Sequence, residues 1–120
     1  MLNFLRTPQK TTTNAPQMDA VAQVDAGALT LIDIRDPGEI AASGKAKGAL
    51  TIPLATLRMQ ADPASPERHS ALKTDQPIAL YCASGARSAM AVTMLRQMGY
   101  EDVTNLGGLH DWIAVGGSLA

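Results

Sequence analysis

Cysteine is nearly absent from this chain: its 120 residues contain one, Cys82. A single cysteine excludes an internal disulfide framework and any multi-cysteine zinc or iron–sulfur site. It leaves two possibilities, a small core residue or a lone reactive thiol. Aromatics are scarce too, with one Trp, two Tyr and one Phe, so Leu, Ile, Val, Ala and Met must fill the core. No apolar run approaches the roughly 18 residues that a membrane span needs. Excess charge is also missing, because ten Lys+Arg against eleven Asp+Glu leave a net charge of −1. Nothing in that balance drives counterion release from a phosphate backbone, so no nucleic-acid partner is expected. The N-terminus, Met1 to Arg6, has an apolar tip without a basic lead-in, a long apolar stretch or a small-residue cleavage site. It does not read as a secretory signal, and the expected location is the cytoplasm, where a free thiol survives.

What is present points to one globular domain. The chain is 46% apolar and 18% charged, too hydrophobic for a disordered segment. Residues 1–17 lack any period and read as an N-terminal tail; residues 18–120 form the domain. Met18 to Ala26 has modest helical spacing, ended by Gly27. Ala28 to Ile34 is a short, mostly aliphatic run, the pattern of a strand buried on both faces. Asp36-Pro37-Gly38-Glu39 has the form of a helix start, with Asp36 as N-cap and Glu39 three residues past it. Ala49 to Pro53 reads as a second strand, Ile78 to Cys82 as a third and Val103 to Leu106 as a fourth. Ser65-Pro66-Glu67 is a further cap-like start, Ser88 to Met98 a helix stopped by Gly99, and a last helical piece holds Trp112. Strands alternating with helices imply an α/β fold, a small open, mostly parallel sheet flanked by helices on both faces.

In open α/β sheets ligands bind beyond the carboxyl ends of the strands, and Cys82 closes one such strand. After it come Ala83, Ser84, Gly85, Ala86, Arg87 and Ser88, where a helix begins. Small residues and Gly85 allow a tight loop whose N–H groups turn inward as an anion-binding nest. The following helix adds the positive end of its dipole, and Arg87 adds a cation. A helix N-terminus contributes about 0.3–1 kcal/mol, up to about 2 in favourable geometry. With nest and arginine included, the thiol is expected to titrate about one to two pH units below the 8.5 of a free cysteine. A lone cysteine ending an apolar strand is ordinarily a small hydrophobe. However, a structural cysteine has no need of a glycine-bearing loop that ends in arginine.

These segments resemble a single-domain rhodanese, a sulfurtransferase. The matching pieces are Asp33-Ile34-Arg35 with Glu39, Gly48 to Pro53, Tyr81 to Ser88, Gly99-Tyr100 through Val103, and Leu106-Gly107-Gly108 with Trp112, in the family's order. The resemblance implies a five-stranded parallel sheet, with Cys82 carrying sulfur. It further implies that Cys82 attacks the sulfane sulfur of a donor such as thiosulfate. The persulfide would be held by the N–H groups of residues 83–88, with Arg87 stabilising its charge, until cyanide or a thiol removes the outer sulfur. The expected partners are thus a small sulfur-containing anion and a thiol acceptor, with no metal or organic cofactor.

Arg87 falls five positions after Cys82. Phosphatases that resemble rhodaneses place one more residue between the two, and their wider ring fits a tetrahedral phosphate. The shorter loop favours sulfur transfer over phosphatase or arsenate-reductase chemistry; a non-enzymatic persulfide carrier for a protein partner is the other alternative. Two departures stand out. Gly44-Lys45-Ala46 replaces the Gly-His-Ile of many relatives, with little effect expected on the chemistry. Ala83 stands where thiosulfate-using members often carry a charged residue, which implies low affinity for that dianion.

Asp33 and Arg35 lie at a strand end on the expected active face, either as a brace for the loop or, more simply, as a structural ion pair. Glu39 fits a capping box without any catalytic role. Gly107, Gly108 and Trp112 read as turn and packing residues, with Trp112 as a candidate pocket wall. His69 and His110 read as surface residues. Met90, Met94 and Met98 recur every four residues, the spacing of core packing.

Overall fold

The computed structural model describes residues 14–120, with side chains from residue 19. Helix and strand alternate along it: α1 (Asn14–Asp25), β1 (Thr30–Asp33), α2 (Pro37–Ser43), β2 (Leu50–Thr51), α3 (Leu54–Ala61), β3 (Ile78–Cys82), α4 (Ala86–Gln97), β4 (Val103–Gly108) and α5 (Leu109–Ala114). The strands make one sheet in the order β2-β1-β3-β4, and every pairing is parallel. β3 is buried at all five positions, as befits an apolar run in the middle of a doubly covered sheet.

The two-residue period of the strands divides the core. Ile32, Ile34, Ile52, Ile78, Leu80 and Cys82 share one cluster with Leu57 and Ala61 of α3 and Ala91, Val92 and Leu95 of α4. Leu31, Ala79, Tyr81 and Leu106 share the other with Ala20 of α1 and Trp112 of α5. Helices therefore cover both faces, as the alternating pattern requires. Each fully buried Leu or Ile stabilises the fold by about 1.5–3 kcal/mol. The scarce aromatics are concentrated at such positions, with Trp112, Tyr81 and Tyr100 all buried.

Four strands, not five, occupy the described residues. The chain leaves α1 through a tight turn, where the N–H groups of Ala28 and Leu29 both donate to the Gln23 carbonyl, and enters β1 directly. No strand lies between α1 and β1 among the described residues. Most of the expected tail, residues 1–17, lies outside the described residues, although α1 already includes Asn14. Ser65-Pro66-Glu67 starts a turn and not a helix: the Ser65 hydroxyl accepts the Glu67 N–H at 3.0 Å, and no apolar stripe follows to bury a helical face. The helix in this region is α3, which places Leu57 and Ala61, four residues apart, in the core. Met94 and Met98 pack against the core, whereas Met90 is 60% exposed, because it lies on the face of α4 opposite the buried Ser88, Ala91, Val92 and Leu95.

The C-terminal segment runs antiparallel to residues 45–47. The Lys47 N–H donates to the Ser118 carbonyl and the Ala120 N–H to the Lys45 carbonyl, each at 2.8 Å. The Trp112 indole N–H holds the same segment through the Ser118 carbonyl at 2.8 Å. No helix among the described residues is long and apolar enough to cross a membrane.

Candidate active site

Cys82 ends the central strand β3, and residues 83–85 return the chain into α4. Gly85 makes that return possible: its φ of +102° lies in the left-handed region, which side chains disfavour. A Cβ there would also stand 3.3 Å from the Gly107 Cα. Gly108 pairs with Cys82 across the sheet, and a Cβ at that position would collide with the Ala83 carbonyl. The Gly107-Gly108 corner of β4 thus lets the loop close over the thiol.

Within this loop the Gly85 N–H donates to the Cys82 Sγ at 3.0 Å, and the Ser88 Oγ lies 3.5 Å from the sulfur. Cys82 is only 1% exposed and Ser88 is buried, while Ala83, Ser84 and Ala86 around them are exposed. Burial pushes the thiol up. Against it, the Ser88 hydroxyl and the backbone N–H groups of Ser88, Gly85 and Ser84 together bring Cys82 down to about 7. Half of it is then thiolate near neutral pH, the form that acts as nucleophile.

Arg87 lies where the loop meets α4, but its guanidinium is engaged by another residue. Nη1 and Nη2 donate to the two Glu39 carboxylate oxygens, each at 2.8 Å. Glu39 also accepts the Asp36 N–H at 3.1 Å, so it caps α2 as its spacing suggests and ties α2 to the loop as well. The Arg87 hydrogen bonds, followed by that of Asp36, hold the Glu39 carboxyl at about 2. Arg87 is pushed up in turn by Glu39, and its charge still acts on Cys82 through space. The groups on the sulfur itself, the Gly85 N–H and the Ser88 hydroxyl, are neutral.

Asp33 and Arg35 form a buried unit of their own. The Arg35 Nη2 donates to the Asp33 Oδ2 at 2.8 Å and its Nε to the Oδ1 at 3.1 Å. Arg35 also reaches the Ser43 Oγ at 2.8 Å and the Gly44 carbonyl at 2.7 Å, tying down the end of α2. The Tyr81 hydroxyl donates to the Asp33 Oδ2 at 2.6 Å and accepts the Ala46 N–H at 2.8 Å. Tyr81 belongs to the cluster on the opposite face of the sheet from Cys82, and Asp33 is its register partner. The pair braces the 43–46 segment and makes no bond to the Cys82 loop. Trp112 is likewise buried on that opposite face and does not wall the thiol site. His110 is 78% exposed, its Nε2 3.8 Å from Asp111, and the His69 Nδ1 accepts the Ala71 N–H at 3.1 Å within a turn.

One residue of the site was not singled out from the sequence. Asn105 of β4 bonds to both Gly85 and Ser88. It lies 17 residues beyond Ser88, on a strand whose pairing with β3 brings it to the Cys82 face, and a contact between such distant segments leaves no local sequence signal. Among the described residues, no group of three or more His, Cys, Asp or Glu is placed to hold a metal.

A family model described as the rhodanese-like domain matches residues 17–115. An Allochromatium vinosum protein named sulfurtransferase is 40% identical over 85 residues, covering 70% of this chain and 71% of its own length. Thiosulfate sulfurtransferase PspE of Escherichia coli K12 is 34% identical, over 67% of this chain and 70% of its own. The uncharacterised Bacillus subtilis protein YqhL is 37% identical over 68% of this chain, which spans only 59% of YqhL. A Rhodopseudomonas palustris structure, RPA3614, described as of unknown function and a possible tyrosine phosphatase, superposes with a TM-score of 0.76 at 31% identity, over 96% of this chain and all of that one.

Proposed function

The chain belongs to the rhodanese-like domain family, and from that premise we propose that it is a sulfurtransferase whose Cys82 carries a sulfane sulfur from donor to acceptor. The observation that carries this reading is the sulfur's setting: the Gly85 N–H donates to a buried Sγ at 3.0 Å, and the Ser88 hydroxyl, able to turn its proton to a thiolate, lies 3.5 Å from it. Such donors stabilise a thiolate and, one bond further out, the terminal sulfur of a persulfide. The thiolate attacks the outer sulfur of thiosulfate; the S–S bond to the sulfonate breaks and sulfite leaves with the electron pair. The Cys82 persulfide then gives its outer sulfur to cyanide, as thiocyanate, or to a thiolate, as a new persulfide, and the Cys82 thiolate returns. Charge balances at each step without a metal or a redox partner. With one cysteine in the sequence, the acceptor must come from outside the chain.

The engagement of Arg87 by Glu39 supports sulfur over phosphate. A phosphate ester dianion wants a free guanidinium for bidentate contact, and here both nitrogens already face a carboxylate. The PspE name supports thiosulfate as a donor to try first. Thiocyanate release from thiosulfate and cyanide, measured for the wild type and Cys82→Ser, is the test. Turnover lost in the variant is the expected result; a wild type no faster than the variant, with thiosulfate or an organic persulfide, speaks against an enzyme. Stable loading of Cys82 without turnover would mark a carrier for a protein partner. Cys82-dependent hydrolysis of p-nitrophenyl phosphate would mark a phosphatase.

A further inference from the structure

We propose that Asn105 is a positioning residue for the Cys82 thiolate, acting through both Ser88 and Gly85; this rests on the reading of Cys82 as the nucleophile. The backbone fixes the orientation of its amide. The Gly107 N–H can only donate, and it meets the Asn105 Oδ1 at 2.9 Å. The Gly85 carbonyl can only accept, and it meets Nδ2 at 3.0 Å. With Oδ1 thus assigned, the Ser88 hydroxyl at 2.7 Å must donate to it.

That assignment determines what Ser88 offers the sulfur. While its proton points at Asn105, the Ser88 oxygen presents a lone pair to the Cys82 Sγ at 3.5 Å, which suits a protonated thiol as donor. When Cys82 ionises, rotation about the Ser88 C–O bond carries the hydroxyl proton to the thiolate, and no heavy atom moves. The Asn105 Oδ1 is then left with its Gly107 bond. The other acceptor within reach of Ser88 is the Gly85 carbonyl at 3.2 Å, the same carbonyl that Asn105 holds with Nδ2. Asn105 thus competes with the thiolate for the Ser88 proton, but it also fixes the Gly85 peptide, and the Gly85 N–H, at 3.0 Å against 3.5 Å for Ser88, is the nearer group on Sγ and sets the sign. Two of the donors that lower the thiol pKa pass through this one side chain. Its place follows from the strand: Asn105 pairs with Leu80, which shares the Cys82 face of the sheet.

The test measures the rate of Cys82 alkylation by iodoacetamide against pH in the full chain, for the wild type, Asn105→Ala and the isosteric Asn105→Asp. The wild-type midpoint is expected near 7. Asn105→Ala should move it toward the 8.5 of a free thiol, so that the rate at pH 7 falls severalfold. Asn105→Asp keeps the acceptor but sets a carboxylate oxygen against the Gly85 carbonyl, and should move it further. Midpoints unchanged or lowered in variants with wild-type circular dichroism overturn the proposal; if the alanine variant does not fold, the uncharged Asn105→Ser, too short to bridge Gly85 and Gly107, decides in its place, since a carboxylate at 105 raises the thiol by charge alone. Alkylation needs no sulfur donor. Shifted midpoints in a protein that never accepts sulfur would refute the sulfurtransferase reading and leave the role of Asn105 standing.

Discussion

The Arg87 guanidinium and the Glu39 carboxylate meet face to face, with Nη1 and Nη2 each 2.8 Å from its own oxygen. The contact joins residues 48 positions apart and binds the first turn of α2 to the first turn of α4. Glu39→Gln keeps the shape and removes the charge. We expect the fold to survive, since α2 has no buried residue, and sulfur loading of Cys82 to slow as Arg87 loses its anchor. Stopped-flow persulfide formation measures this; an unchanged rate would show that the pair has no bearing on the loop.

The same pair sets a pH dependence. Its carboxyl lies at about 2 in the folded chain, below the roughly 4.3 of an unfolded glutamate. A lowered folded-state value stabilises the fold fully above the unfolded value and is lost as pH falls through the folded one. The melting temperature of the wild type should therefore exceed that of Glu39→Gln above about pH 4.3, with the gap closing toward pH 2. Because both side chains are partly exposed, added salt should narrow it. A gap that is constant with pH would contradict the assignment.

Ser88→Ala removes the hydroxyl that lies 3.5 Å from the Cys82 Sγ. A hydrogen bond to a charged group is worth about 1.5–3 kcal/mol, and at this separation the lower end applies, about one pH unit. The alkylation midpoint should rise from about 7 to nearer 8. A midpoint that stays near 7 would assign the lowered thiol to the backbone N–H groups alone.

Tyr81→Phe tests the buried brace on the other face. It removes one donor from the Asp33 Oδ2, which keeps Arg35, and leaves the buried Ala46 N–H without its acceptor. An unsatisfied buried group costs about 1–3 kcal/mol, so urea unfolding should show a loss of that order. The Cys82 alkylation midpoint should not move, because the network makes no bond to the loop. A shifted midpoint would mean that the two faces of the sheet communicate.

Gly85→Ala should be more damaging to the loop than to the fold. The left-handed φ of +102° costs a side chain about 1–2 kcal/mol, and the Gly107 Cα stands 3.3 Å from the new Cβ. The variant should melt at a lower temperature and alkylate more slowly at pH 7. A wild-type rate would show that the Gly85 N–H is not needed on the sulfur.

What could be read from the sequence was what is local in the chain. Cys82, its glycine-bearing loop and the helix start after it lie within seven consecutive residues, and the buried strands carry aliphatic runs. The Asp36 cap and its Glu39 partner also lie three residues apart. Contacts that join distant segments were not legible. Glu39 shows a capping role in sequence, and only the fold brings it to Arg87. Asn105 looks like an ordinary strand residue until its pairing with Leu80 sets it on the Cys82 face, beside Ser88. Asp33 and Arg35 sit near Cys82 in strand order, yet the two-residue period sends Asp33 to the other face of the sheet. Helix α3 carries little periodic signal, because its eight residues fully bury only Leu57 and Ala61, with Leu54 partly buried against the same core.

Intact mass spectrometry after incubation with thiosulfate, or with an organic persulfide, tests the role of Cys82 most directly. The expected result is a gain of one sulfur atom by the wild type, absent from Cys82→Ser and removed by cyanide. A wild type that never gains sulfur from either donor, or a serine variant that gains it equally, would contradict Cys82 as the sulfur carrier.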